Sequence, residues 1–222
     1  MVSVAPIIAQ PVPPPVGEKR LLFQSLDWQR YQTLREMLSR DGAASPVKNR
    51  NLRFTYLQGM LEVTMPLEIH EFSARLIEKF IWILVVEFGM KVKTMGSTTL
   101  DRQALDRSAE PADAYYIQNQ PLVAGRDVDF DRDPPPDLVV EVDITHTDIN
   151  KLKLYAAIGV PEFWRYNGEV WQIYVLHKGQ YQEVEVSPTF SRVPKVKLYE
   201  FLATARQHEV EAELAFRQWL RT

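Results

Sequence analysis

Glu141 and Asp143 stand two residues apart at the downstream end of Leu138-Val-Val-Glu-Val142, the densest β-branched run in the chain. Such a run predicts a buried central strand. Side chains alternate along a strand, so the two carboxylates point the same way, about 7 Å apart. Two acids on one face of a core strand need either a cation beside them or a chemical role, because unpaired buried charge is strongly unfavourable. Lys151 lies in the first turns of the helix predicted next, which begins at the same end of the sheet. If Ala112–Ile117 pairs antiparallel with Leu138–Asp143, Asp113 comes to that end as well. Asp113, Glu141 and Asp143 with one lysine suit Mg²⁺, or Mn²⁺ in its place, as a hard cation bound by oxygen at about 2.1 Å. Such an ion would polarise a phosphodiester and activate water, and the lysine would stabilise the developing charge. The plainer reading pairs Glu141 with Lys151 or Lys153 as structural charges. Asp143, likewise, would only cap the turn at 145–148.

The elements that must position these residues read as follows. Leu26–Arg40 is an amphipathic helix with Trp28, Tyr31, Leu34, Met37 and Leu38 on one face, capped by Asp27 or Ser25 and ended at Asp41-Gly42. Leu52–Leu57 and Leu61–Met65 alternate in polarity and meet at Gln58-Gly59, a hairpin signal. A long helix runs from Pro66 to about Glu87 and stops at Gly89. Short strands are predicted at 91–95 and 97–100, then a polar loop, then Ala112–Ile117. After the central strand, Asp148 caps a helix over 150–158 that Gly159 ends. Glu162–Tyr166, Val170–Leu176 and Gln180–Val186 form a meander, and Leu198–Arg221 is helical. This order predicts an α+β or α/β domain with a mixed sheet. Residues 1–17 are mostly Pro, Val, Ala and Gln, which predicts a disordered Pro-rich arm ahead of one domain over 18–222.

Other polar residues read as scaffold. Asp137, after three prolines, is structural. The Asp127–Asp133 ladder lacks the glycine and terminal glutamate of a calcium loop and reads as a solvated acidic loop. His70 either orients the site or is satisfied by the backbone at its helix start. Lys48–Arg53 is the densest basic patch and reads as a solvated loop.

With no cysteine in 222 residues, disulfides, zinc–thiolate sites and cysteine nucleophiles are excluded. The net charge of -3 attracts no polyanion globally, so any nucleic-acid contact must use local patches. The apolar run 80–86 falls far short of the roughly 20 residues of a membrane span. No signal peptide is read at the start, and a cytoplasmic location is expected.

Pro135-Pro-Asp-Leu-Val-Val-Glu-Val142, followed by Lys151-Leu-Lys-Leu-Tyr-Ala-Ala-Ile-Gly-Val-Pro-Glu-Phe-Trp164, resembles the signature of the Uma family of restriction endonucleases. That family is common in cyanobacteria and sits in the PD-(D/E)XK nuclease superfamily. Gln58–Pro66 with His70 after it matches the family's glycine hairpin, proline and histidine, so the resemblance spans about 50–175. It implies a restriction-endonuclease-like core with helices flanking a mixed sheet, and Mg²⁺-dependent hydrolysis of DNA by a homodimer. Glu141 matches the acid of the (D/E)XK element. Asp143 stands where the superfamily usually has lysine, and Lys151 matches the family's displaced lysine. The earlier aspartate falls within Glu110-Pro-Ala-Asp113, where Ala112 stands at the expected position and Asp113 one residue later. A one-residue shift turns a strand side chain to the opposite face unless a bulge corrects it. Two functions follow. One is an endonuclease using Asp113, Glu141, Asp143 and Lys151. The other is a nuclease-fold binding module for nucleic acid or protein, in which these charges form a structural network.

Overall fold

The computed structural model describes residues 19–39, 52–144, 147 and 149–222. In chain order the strands are β1 (Lys19–Phe23), β2 (Arg53–Leu57), β3 (Met60–Met65), β4 (Lys93–Thr94), β5 (Leu100–Arg102) and β6 (Arg107–Ala109). They continue with β7 (Asp113–Tyr116), β8 (Leu138–Val142), β9 (Glu162–Tyr166), β10 (Trp171–His177) and β11 (Gln180–Val184). The helices are α1 (Trp28–Ser39), α2 (Glu68–Glu87), α3 (Gln120–Val123), α4 (Lys151–Ile158), α5 (Lys195–Ala205) and α6 (Glu209–Leu220).

Two sheets form. The first is antiparallel in the order β1-β3-β2-β6-β5, and the second is mixed, in the order β11-β10-β9-β8-β7-β4. Within the second, β7 runs antiparallel and β9 parallel to β8. Parallel neighbours need a crossover, and α4 supplies it. Its start is set by Asn150, whose side chain accepts the Lys153 N–H at 2.9 Å. Its end is set by Gly159 at φ 89°, a left-handed conformation that favours glycine.

Leu138, Val140 and Val142 face a core closed by α2, α5 and α6, with Phe80 stacked on Phe216 at 4.5 Å. Val139 faces the opposite side, against α4, in a core shared with Leu57, Leu100 and Ala109 of the first sheet. That first sheet buries Phe54, Tyr56, Leu61 and Val63 under α1 on its outer face. Its other face turns Thr55, Glu62 and Thr64 toward the end of β8.

The hairpin is as expected: Gln58 at φ 46° and Gly59 at φ 90° form the two-residue turn between β2 and β3. Asp27 caps α1 through the Arg30 N–H at 2.8 Å. Met37, expected on the buried face, is 65% exposed. At 100° per residue it points well away from the Trp28–Tyr31–Leu34–Leu38 stripe. The expected C-terminal helix is two helices, broken where the N–H groups of Gln207 and His208 both turn back to the Thr204 carbonyl. No glycine or proline marks that break. Strands β1 and β6 carry no signal of their own in the sequence: each is short, and β1 is held by β3 while β6 is held between β2 and β5. The Pro-rich arm, the end of the first helix at Asp41-Gly42, the basic patch up to Asn51, and Asp148 lie outside the described residues. Among the described residues no helix is long and apolar enough to cross a membrane.

Candidate active site

The carboxyl end of β8 brings Glu141 and Asp143 to the first turn of α4. There Lys151 Nζ lies 2.8 Å from Glu141 Oε2 and 2.7 Å from Asp143 Oδ1. A lysine at a helix N-terminus opposes the helix dipole. The two carboxylates outweigh that cost, and the ammonium bridges them. The remaining oxygens are also engaged. Tyr155, one turn further along α4, donates its hydroxyl to Glu141 Oε1 at 2.5 Å. Arg165 donates its Nε–H to Asp143 Oδ2 at 3.1 Å. The parallel register sets Glu141 beside Arg165, which puts both on one face of the sheet.

Burial raises the Glu141 carboxyl above its ordinary range, and the Lys151 charge only partly offsets it. Burial acts on Asp143 in the same direction, but Lys151 and Arg165 prevail and hold it below the usual carboxylate range. Burial alone would lower Lys151, yet the two acids keep its ammonium above the ordinary lysine value. Lys151 is therefore a fixed cation and donor, not a base.

The structure places Asp113 elsewhere. Asp113 pairs across from Val140 rather than Glu141, so it shares the face of Val140 and points toward α2. It accepts the Tyr115 hydroxyl and the Ala114 N–H, the latter at 2.9 Å. No bulge corrects the one-residue shift. The expected trio of Asp113, Glu141 and Asp143 is thus not assembled, and no group of three His, Cys, Asp or Glu side chains among the described residues is placed to hold a metal ion. Burial raises Asp113 to about 6, and Glu78 on α2 adds to the rise against the Tyr115 hydrogen bond.

A small cavity of about 20 Å³ lies between the first sheet and the end of β8. Glu141, Asp143 and Lys151 line it on one side, and Arg20, Arg53, Glu62 and Glu110 on the other. Sequence reasoning missed this second wall, since it forms only when the two sheets pack. Arg53 is held by Glu71 at 2.5 Å, and Glu110 accepts the Phe54 N–H at 2.9 Å and the Thr99 hydroxyl at 2.9 Å. His70 lines the cavity while its Nδ1 accepts the Leu67 N–H at 3.1 Å, so both readings of His70 hold a part. Lys153 faces solvent as expected. Asp137 is scaffold: its carboxylate accepts the N–H groups of Ile117 and Asn119 at 2.7 and 2.9 Å. Asp133 is tied to Arg126, which with the Asp129 N–H lowers its carboxyl to about 2 in an exposed loop.

Does this donor set fit a divalent cation? Mg²⁺ is commonly held by one or two carboxylates, with water and substrate phosphate completing the shell. Glu141 and Asp143 meet that requirement once the Lys151 ammonium gives up an oxygen of each. The cavity matches a water-sized occupant.

A mixed sheet between helices, with acids and a lysine at the carboxyl end of a buried strand, is a restriction-endonuclease-like core. A family model described as "Uma2: Putative restriction endonuclease" matches residues 31–207. The chain belongs to that family. A crystal structure of "a putative nuclease belonging to DUF820" from Anabaena variabilis is similar at TM-score 0.45 and 16% identity, over 66% of this chain and 89% of that one. No curated protein matches.

Proposed function

We propose that this chain is a divalent-metal-dependent endonuclease that hydrolyses DNA phosphodiester bonds at the Glu141–Asp143–Lys151 cluster. The observation that carries this reading is the Lys151 ammonium seated between two carboxylates at 2.7 and 2.8 Å, in a chain of a restriction-endonuclease family. Glu141 and Asp143 would hold Mg²⁺ or Mn²⁺, which supplies polarisation of the phosphodiester and an activated water. Tyr155 fixes the orientation of the Glu141 carboxylate, and Arg165 fixes that of Asp143. Lys151, which holds its proton between the two acids, would stabilise negative charge growing on the phosphoryl oxygens. Asp113 has no part in this ligand set. A homodimer, which would cut both strands, belongs to the same reading, and light scattering tests it.

The test is cleavage of plasmid and single-stranded DNA with Mg²⁺ or Mn²⁺. Loss of one such group typically costs 10²–10³-fold or more, so Glu141→Gln and Lys151→Ala should each lose at least about a hundredfold in rate. Cleavage that persists in both variants sinks the site.

One observation favours a second reading, a nuclease-fold binding module without hydrolysis. The charges of Glu141 and Asp143 are already balanced by Lys151 and Arg165. In that case calorimetry detects no Mg²⁺ or Mn²⁺ binding, and no substrate is cut.

A further inference from the structure

The cavity beside Glu141 and Asp143 is small, about 20 Å³, room for a water. A phosphodiester needs a larger space. A groove of about 360 Å³ runs along the outer side of the cluster, and Lys151 and Thr147 line both spaces. Asn150 and Arg165 complete the polar wall of the groove. Lys151 and Arg165, the two cations that hold the carboxylates, thus both line the groove.

Arg165 is built for two partners. Its Nε–H is spent on Asp143, and its side chain remains 31% exposed. The two terminal nitrogens make no hydrogen bond with any described residue. A guanidinium is planar and presents its donors as a rigid fork that matches phosphate. With one edge fixed on Asp143, the other is available to the groove. Nearest in register is Glu141, so a phosphate held by this fork sits beside the proposed reaction centre.

We propose that Arg165 binds a backbone phosphate of the nucleic-acid substrate in this groove, positioning the adjacent bond over Glu141 and Asp143. This rests on the endonuclease reading and extends it to the substrate-binding surface. Lys151 serves the reacting phosphoryl group, while Arg165 serves a neighbouring one.

The test compares wild type, Arg165→Gln and Arg165→Lys. Binding of a short DNA duplex is followed in EDTA, so that nothing is cut, across a range of salt; cleavage is then measured with Mg²⁺. Removing one phosphate contact should weaken binding by about three- to tenfold irrespective of sequence and lower the log K against log salt slope by about 0.9. Arg165→Lys should keep the slope, because the charge remains, yet lose cleavage rate, because a point charge cannot hold Asp143 and phosphate together. A residue that only props up Asp143 would change the cleavage rate and leave the slope unmoved in both variants. An unchanged slope in Arg165→Gln, with wild type still cleaving, overturns the phosphate role and leaves the endonuclease reading intact. If wild type neither binds nor cuts the duplex, the endonuclease reading falls and this role with it.

Discussion

Lys151 neutralises two buried carboxylates at once, so its removal strands Glu141 and leaves Asp143 with Arg165 alone. Breaking one partner out of a buried pair typically costs about 3–5 kcal/mol. Lys151→Met should therefore lower stability by about that amount in denaturant unfolding at neutral pH, and replacing Glu141 by Gln in the same chain should recover part of the loss. If Lys151→Met unfolds at the wild-type midpoint, the bridge seen between Glu141 and Asp143 does not form in solution. The acids of the opening motif were legible in the sequence as a pair, because alternation along a strand is local. Arg165 was not, because its place beside Glu141 depends on a parallel register between strands that are separated by α4.

Among the elements, the β7–β8 ladder decides most. It sets Asp113 against Val140 and turns it under α2, where burial raises its carboxyl to about 6. A carboxyl raised in the folded state from an ordinary 3.8 stabilises the fold fully only below the unfolded value, and that stability is lost as pH rises through about 6. Wild type should therefore lose stability of order 2 kcal/mol between pH 4 and 7 from this group. Asp113→Asn should flatten that slope and leave Mg²⁺ binding unchanged. A cleavage defect in Asp113→Asn with unaltered stability would return Asp113 to the ligand set. The β2–β3 hairpin is a second decisive element, since it carries Glu62 and Arg53 to the far wall of the cavity. Gly59 at φ 90° is needed for its turn, and Gly59→Ala should cost about 1 kcal/mol by thermal unfolding.

Across the whole molecule, the central sheet is sealed on one side by helices distant in sequence. Phe216 of α6 is 5% exposed and stacks on Phe80 of α2, while Arg217 reaches Glu87 at 2.7 Å. Phe216→Ala should cost about 3–5 kcal/mol, as large aromatic truncations in a core do. If it unfolds like wild type, α6 is an appendage and not part of the core.

By itself the sequence determined the local features: the buried strand Leu138–Val142, the Gln58-Gly59 turn, the long helix after Pro66 and the crossover helix ended by Gly159. Each of these follows from side-chain periodicity or from one residue's backbone freedom, which act over a few positions. The family signature was legible for the same reason, as contiguous motifs. Only the tertiary structure decided that Asp113 leaves the site, that Arg165 and Tyr155 enter it, and that a second sheet walls the cavity with Arg20, Arg53 and Glu62. Those placements depend on register and on the packing of one sheet against another. A shift of one residue reverses which face a side chain occupies, and no short-range pattern in the chain records which register wins.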